Sequence, residues 1–229
     1  MRTSLSSVLF VCVLVLLASL ALAAGSTGYH VSKKTVLGGD GGWDYLTVDA
    51  KARRIYISRG THVMIVDAVS AAVVGDIPGT NGVHGIAIAS DMDKGFTSNG
   101  RDNNVTIFDT KTLKVLGTAP AGKNPDAIIY DPASKRVFSF NGGSNDATAI
   151  DAKTGTVAGT VALGGRPEFA QADEKGHIFV NIEDKSEIVQ FDANKLTVEN
   201  HWKLAPGDGP SGLAIDRKHH RLFLSARTK

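Results

Sequence analysis

Ile128-Ile129-Tyr130-Asp131, then Phe138, then Ala149-Ile150-Asp151 is a phrase that the chain repeats about every 42 residues. Ala87-Ile88, Phe96 and Thr106-Ile107-Phe108-Asp109 say it before; Ala170-Gln171-Ala172-Asp173, Phe179 and Gln190-Phe191-Asp192 say it after. An earlier copy runs Leu46-Thr47-Val48-Asp49, Tyr56, Ile65-Val66-Asp67, and a fifth begins at Leu213-Ala214-Ile215-Asp216 and reaches Phe223. The aromatics at 56, 96, 138, 179 and 223 step by 40, 42, 41 and 44, and the aspartates at 67, 109, 151 and 192 by 42, 42 and 41. A period of this size built from short β runs points to propeller blades.

Within one period the pattern predicts four strands. In the second they are His84–Ala89, Lys94–Ser98, Asn104–Asp109 and Lys114–Ala119, each β-branched, aromatic or alternating, and each bounded by turn residues such as Asn99-Gly100-Arg101-Asp102. No stretch after Ala23 sustains a 3.6-residue apolar period, so no long helix is expected. The aspartate closing each third strand precedes a tight hairpin, where a short carboxylate accepts turn N–H groups; it is read as a turn residue, not a ligand. The fold class is therefore all-β, a β-propeller of four-stranded antiparallel blades at roughly 43–78, 83–120, 125–164, 167–205 and 210–229, the last incomplete. Residues 31–37 match the segment that precedes a new blade and are expected as a leading outer strand. One such strand, sixteen in four blades and two more make 19; a seven-bladed ring needs 28, so the chain reads as an open arc truncated at its carboxyl end, the alternative being a self-sufficient five-blade propeller whose fifth unit would still lack its third strand.

Arg2 precedes an uncharged apolar run, Val8 to Leu22, that closes on Ala21-Leu22-Ala23. A basic start, an apolar core too short for a membrane anchor and an A-x-A site predict a signal peptide over 1–23, hence a periplasmic or secreted protein with no membrane span after cleavage. The only cysteine, Cys12, lies inside that run, which leaves the mature chain no thiol chemistry. Removing Arg2 takes the formal charge from +2 to +1, so nothing electrostatic recommends nucleic acid as a partner.

These repeats resemble the YVTN, or YncE-like, family of secreted bacterial propellers. Phe179-Val180-Asn181 and Thr97-Ser98-Asn99 match its second strand, Asn104-Val105-Thr106-Ile107-Phe108-Asp109 its third, and Pro125, Pro167 and Pro210 its opening proline; Trp43, Val83 and Arg59-Gly60-Thr61-His62 depart from it. The resemblance implies seven blades and export. It transfers no catalytic residue, since the family has no agreed activity and related propellers include lactonases and lyases.

Aligning the blade starts places Asp44, His84, Asp126, Glu168 and Ser211 at one equivalent position, where the innermost strand begins at the mouth of the central channel. Four of these five side chains can ligate a divalent metal or move a proton. A second ring is expected from second-to-third connections: Arg59, His62, Asn99, Arg101, Asp102, Asn141, Asn145, Glu183, Asp184 and Lys185. Nine carboxylates against five cations fall on this face, favouring cationic ligands. The favoured function is a binding scaffold that takes a small ligand or protein partner here; the alternative is a metal-dependent lactonase or lyase using the same ring. The remaining candidates are discounted. Gly38-Gly39-Asp40-Gly41-Gly42 lacks the strand–loop–helix context of a phosphate cradle and reads as a flexible connection, His219-His220 sits on the opposite face, and Trp43 and Trp202 are expected to pack.

Overall fold

The computed structural model describes residues 28–228, so the expected signal peptide, with Cys12, lies outside the described residues. The chain forms two units, one up to Val36 and one from Leu37 onward. In the first, the described residues are all exposed and carry no strand. The outer strand expected over 31–37 is therefore not formed: a strand exists through a neighbour's backbone, and nothing among the described residues pairs with it.

The second unit is nearly all β, as the repeat requires. Blade one contains β1 (Leu46–Asp49), β2 (Arg54–Ser58), β3 (Gly60–Asp67) and the first part of β4 (Val73–Ala89). The remainder of β4 opens blade two, which continues with β5 (Lys94–Asn99), β6 (Asn104–Asp109) and β7 (Val115–Pro120). Residues 73–78 of β4 pair with β3 and residues 83–89 with β5, so two blades share one seven-stranded sheet where separate sheets were expected. Blade three is β8 (Pro125–Asp131), β9 (Arg136–Asn141), β10 (Asp146–Asp151) and β11 (Val157–Ala162). Blade four is β12 (Pro167–Ala172), β13 (His177–Ile182), β14 (Glu187–Asp192) and β15 (Thr197–Lys203). After the two-residue β16 (Gly207–Asp208), β17 (Leu213–Asp216) pairs with β18 (Arg221–Leu224) as the start of a fifth blade, and β19 (Arg227–Thr228) pairs back with β16. A 3-10 turn at Glu183–Lys185 is the one helical element among the described residues.

Each core cluster lies between two successive blades. Tyr56 and Ile65 of blade one meet Ile86 and Phe108 of blade two. Phe96 and Ile107 meet Ile128 and Ile150 of blade three, and Phe138 and Phe140 meet Ile178 and Phe191 of blade four. Burial of this kind is why stacked repeats depend on their neighbours. Tyr56, Phe96 and Phe138 are fully buried, as the period demands. Phe179 is only half-buried, stacking on Trp202 at 6.2 Å, and Phe223 is 58% exposed, since no further described blade covers its side.

The recurrent aspartates are turn residues. Asp109 accepts from the backbone N–H of Lys111 (2.9 Å) and Thr112 (2.6 Å), and Asp67, Asp151 and Asp192 repeat the arrangement. These N–H donors stabilise the ionised form, led by that of Lys195 at Asp192, whose carboxyl falls to about 2. Four residues after each aspartate the backbone turns left-handed, at Ala71, Leu113, Gly155 and Leu196. On the same rim the first residue of the second strand in blades one, two and three clasps the next blade. Arg54 donates to Thr110 O, Lys94 to Ala152 O (3.2 Å), and Arg136 to Ala193 O (2.6 Å) and Asn194 O (2.8 Å).

Candidate functional site at the channel mouth

In blades two, three and four the ring position owes its direction to a bulge. Register shifts between Val83 and Ile86, Pro125 and Ile128, and Pro167 and Ala170, leaving His84-Gly85, Asp126-Ala127 and Glu168-Phe169 out of step with the second strand. A bulge bends the strand and re-aims a side chain that regular alternation would send between blades. Ser98 Oγ accepts from the displaced Gly85 N–H (2.9 Å), and serines at the equivalent place in blades one and five do the same for an unbulged backbone, Ser58 Oγ from Tyr45 N–H (2.7 Å) and Ser225 Oγ from Gly212 N–H (2.8 Å). Ser98 also donates to Asp126 O, tying blade two to the bulge of blade three.

Asp44, His84 and Asp126 converge. One ligand atom from each lies within 4.8 Å of the others. His84 Nδ1 is 2.5 Å from Asp44 Oδ2 and 3.9 Å from Asp126 Oδ1. A tetrahedral ion with bonds of ~2.1 Å separates its ligand atoms by ~3.4 Å. A cation at Nδ1 would therefore displace the proton shared with Asp44 and part the two groups by about an ångström. With Nδ1 so engaged, Nε2 is the nitrogen that meets the adjoining cleft; a Cβ at Gly100 would stand 3.0 Å from it.

Burial raises the Asp126 carboxyl, His84 opposing and Asp44 adding to the rise. Burial also raises Glu168, reinforced by Asp126 and Glu183, so Glu168 shares the field of the cluster without being one of its three members. Tyr45 is pushed up to about 12 by burial, then by Asp126 and Asp44. A group whose pKa rises on folding contributes stability that is fully present below its unfolded value and is lost as pH rises through the folded one. Asp126→Asn is therefore expected to raise the melting temperature at neutral pH without added metal. That gain should disappear below the ordinary Asp value of 3.8. Melting curves across pH check this; a gain that persists in acid would show that charge is not the cause.

Sequence reading missed Tyr45 and Phe169, whose rings meet at 5.5 Å from blades one and four. The signal was one residue past the ring, where Tyr45 and Phe169 are large while Gly85, Ala127 and Gly212 are small. Other expected site residues part company. His62 lies within β3, 3.7 Å from Asp76, because only Arg59 separates β2 from β3 and no loop remains to carry it to the mouth. Ser211 is exposed, 3.1 Å from Ser225 Oγ, and outside the cluster. Asn99 and Asn141 are fully buried and spent on the fold: Asn99 donates to Asn104 (2.7 Å) and Thr106 (2.8 Å), Asn141 to Asp146 and Thr148.

Arg101 does reach a cleft of ≈ 500 Å³ beside His84, together with Trp43. Trp43 is 81% exposed and not a packing residue, whereas Trp202 packs on Phe179. Nor is the segment from Gly38 to Gly41 a loose connection, because Arg59 donates to the carbonyls of Gly38, Gly39, Asp40 and Gly41 at 2.9–3.3 Å. His219 Nδ1 is held by Asp216 Oδ2 at 2.6 Å.

No family model matches the sequence, and no curated protein matches it. Among solved structures the chain is similar to Kuenenia stuttgartiensis hydrazine synthase, with a TM-score of 0.71 and 14% identity. The match covers 81% of this chain and 56% of that one, so this chain spans little more than half of its solved relative. At that identity the likeness carries the β-propeller fold alone.

Proposed function

We propose that this chain is a YncE-like exported β-propeller that works as a binding scaffold, and that its ligand docks at the channel mouth over a divalent cation held by Asp44, His84 and Asp126. The observation that carries this reading is the convergence of two carboxylates and an imidazole, from three successive blades, within 4.8 Å. Mixed oxygen and nitrogen donors suit zinc, manganese or a similar ion better than magnesium. Three protein ligands leave a coordination position open for a ligand. Glu168 adds negative charge from the next blade. Export is supported by Arg2, the apolar run and Ala21-Leu22-Ala23; among the described residues no helix is long and apolar enough to cross a membrane.

Calorimetric titration of zinc and manganese into the protein tests the reading. His84→Ala is expected to weaken binding by at least about tenfold, and Glu168→Ala by less, since it acts through the field rather than a bond. Affinity should fall with pH as protons compete for the raised carboxyls. Isotherms identical in wild type, His84→Ala and Asp126→Asn would leave the ring as a water-lined pore and end the proposal.

A further inference from the structure

We infer that the cleft beside the His84 cluster is a carboxylate-binding subsite, with Arg101 as its anchor and Trp43 as its apolar wall. The ligand of the channel mouth is then a small organic acid with a planar or apolar body, its charge met locally by Arg101 although the face as a whole, with nine carboxylates against five cations, favours cations. This deepens the proposed function and rests on the channel mouth being the ligand face.

Arg101 is distinguished by what it does not touch. The other arginines of this face are spent: Arg59 on four backbone carbonyls, Arg166 on Glu183. Arg101 is exposed, and among the described residues no carboxylate or carbonyl takes its guanidinium. Its base is nonetheless fixed. Gly100 N–H donates to Gly82 O at 2.8 Å, and the Arg101 stem lies so close over Gly82 that a Cβ there would be 2.7 Å from Arg101 Cγ. Gly82 is also left-handed, at φ +67°, so two constraints keep it glycine and hold Arg101 along the cleft wall. A guanidinium held by its backbone and left unpaired offers a planar fork that matches a carboxylate.

The other walls fit the rest of such a ligand. Trp43 presents its indole almost entirely to solvent, an unusual exposure for the largest apolar side chain, and Thr61 and Asn124 add hydrogen-bonding groups. The ≈ 500 Å³ of the cleft falls within the range of small-molecule sites. Asp44 and His84 line the same cleft, so a cation held there would draw the acid group toward the cluster while Arg101 takes its second oxygen or an adjacent polar group.

The test uses para-fluorobenzoate, an aromatic acid that chelates metal weakly, followed by fluorine NMR against the full chain, in chelator and again with zinc. Para-fluorobenzamide is the neutral control. Line broadening and a saturable shift are expected for the acid and not for the amide, and Arg101→Gln should weaken the acid about tenfold, the loss of one charge-assisted pair. Trp43→Ala should weaken it as well, with melting temperature unchanged because Trp43 is not packed. Equal behaviour of acid and amide, or full affinity in Arg101→Gln, overturns the subsite. Calorimetry with zinc alone decides the cation reading separately: zinc binding without acid binding leaves that reading standing and removes the subsite. Arg101-dependent acid binding in a protein that takes no zinc removes the cation and keeps the subsite.

Discussion

Phe138→Ala is expected to cost about 3–5 kcal/mol, a large share of the stability of any domain of this size. The ring is fully buried between blades three and four, opposite Ala149 on the neighbouring strand, and meets Phe191 edge-on at 5.3 Å. Ala149 is small and Phe191 is itself fully buried, so neither can move in to fill the space, and the cavity term adds to the lost transfer energy. The same substitution at equivalent positions supplies the control. Phe179 is half-buried and should cost less; Phe223, exposed at 58%, should stay within roughly 1 kcal/mol. Denaturant midpoints with unchanged slopes measure all three. Equal losses at Phe138 and Phe223 would mean that the fifth repeat packs as the third does, contrary to the burial found here.

That gradient also separates what the sequence made legible from what it hid. In blade two the period locates the second, third and fourth strands to within a residue, Asn104–Asp109 being β6, while the first lies inside the longer β4; the turn aspartates accept the N–H groups predicted for them. Period-2 alternation and turn chemistry are local, and local rules read well from one chain. The misses are all matters of partners. Residues 31–37 carry a strand pattern but have no pairing strand among the described residues. His62 is expected in the second-to-third connection of blade one, but that connection is a single residue, Arg59, and β3 takes His62 as its own. Asn99 and Asn141 look like loop ligands in sequence, and only the ladder shows each facing inward onto a threonine of the next strand.

The candidate site was half legible for the same reason. Alignment put Asp44, His84, Asp126 and Glu168 at one position, yet alignment says nothing of distance. The bulges aim the side chains, and which of them meet depends on neighbours. Asp44, His84 and Asp126 come from successive blades and touch, while Glu168 stands one blade further round. Tyr45 and Phe169 close the space between blades one and four, and no pattern within a single repeat could announce a contact between the first and the fourth.

Gly95 offers the sharpest test of how one blade is assembled. It faces Phe108 across the β5–β6 ladder, and a Cβ added to it would overlap the ring carbons of that fully buried phenylalanine. The equivalent cross-strand pairs in the other complete blades are Ile55 with Val66, Val137 with Ile150 and Ile178 with Phe191, so blade two alone combines a bare backbone with a ring laid over it. The ring cannot swing away, because Tyr56 of blade one holds its other side at 5.8 Å. Gly95→Ala should therefore destabilise by about 2–3 kcal/mol through overpacking, although alanine is the better strand residue by about 0.5–1 kcal/mol. In a Phe108→Ala background the overlap is gone and only the backbone preference remains, so the same substitution should be neutral or mildly stabilising. The coupling energy from the double-mutant cycle, about 2 kcal/mol or more, is the quantity to measure. Additive effects would mean that the ring does not lie over Gly95, and would remove the packing that joins blade two to blade one.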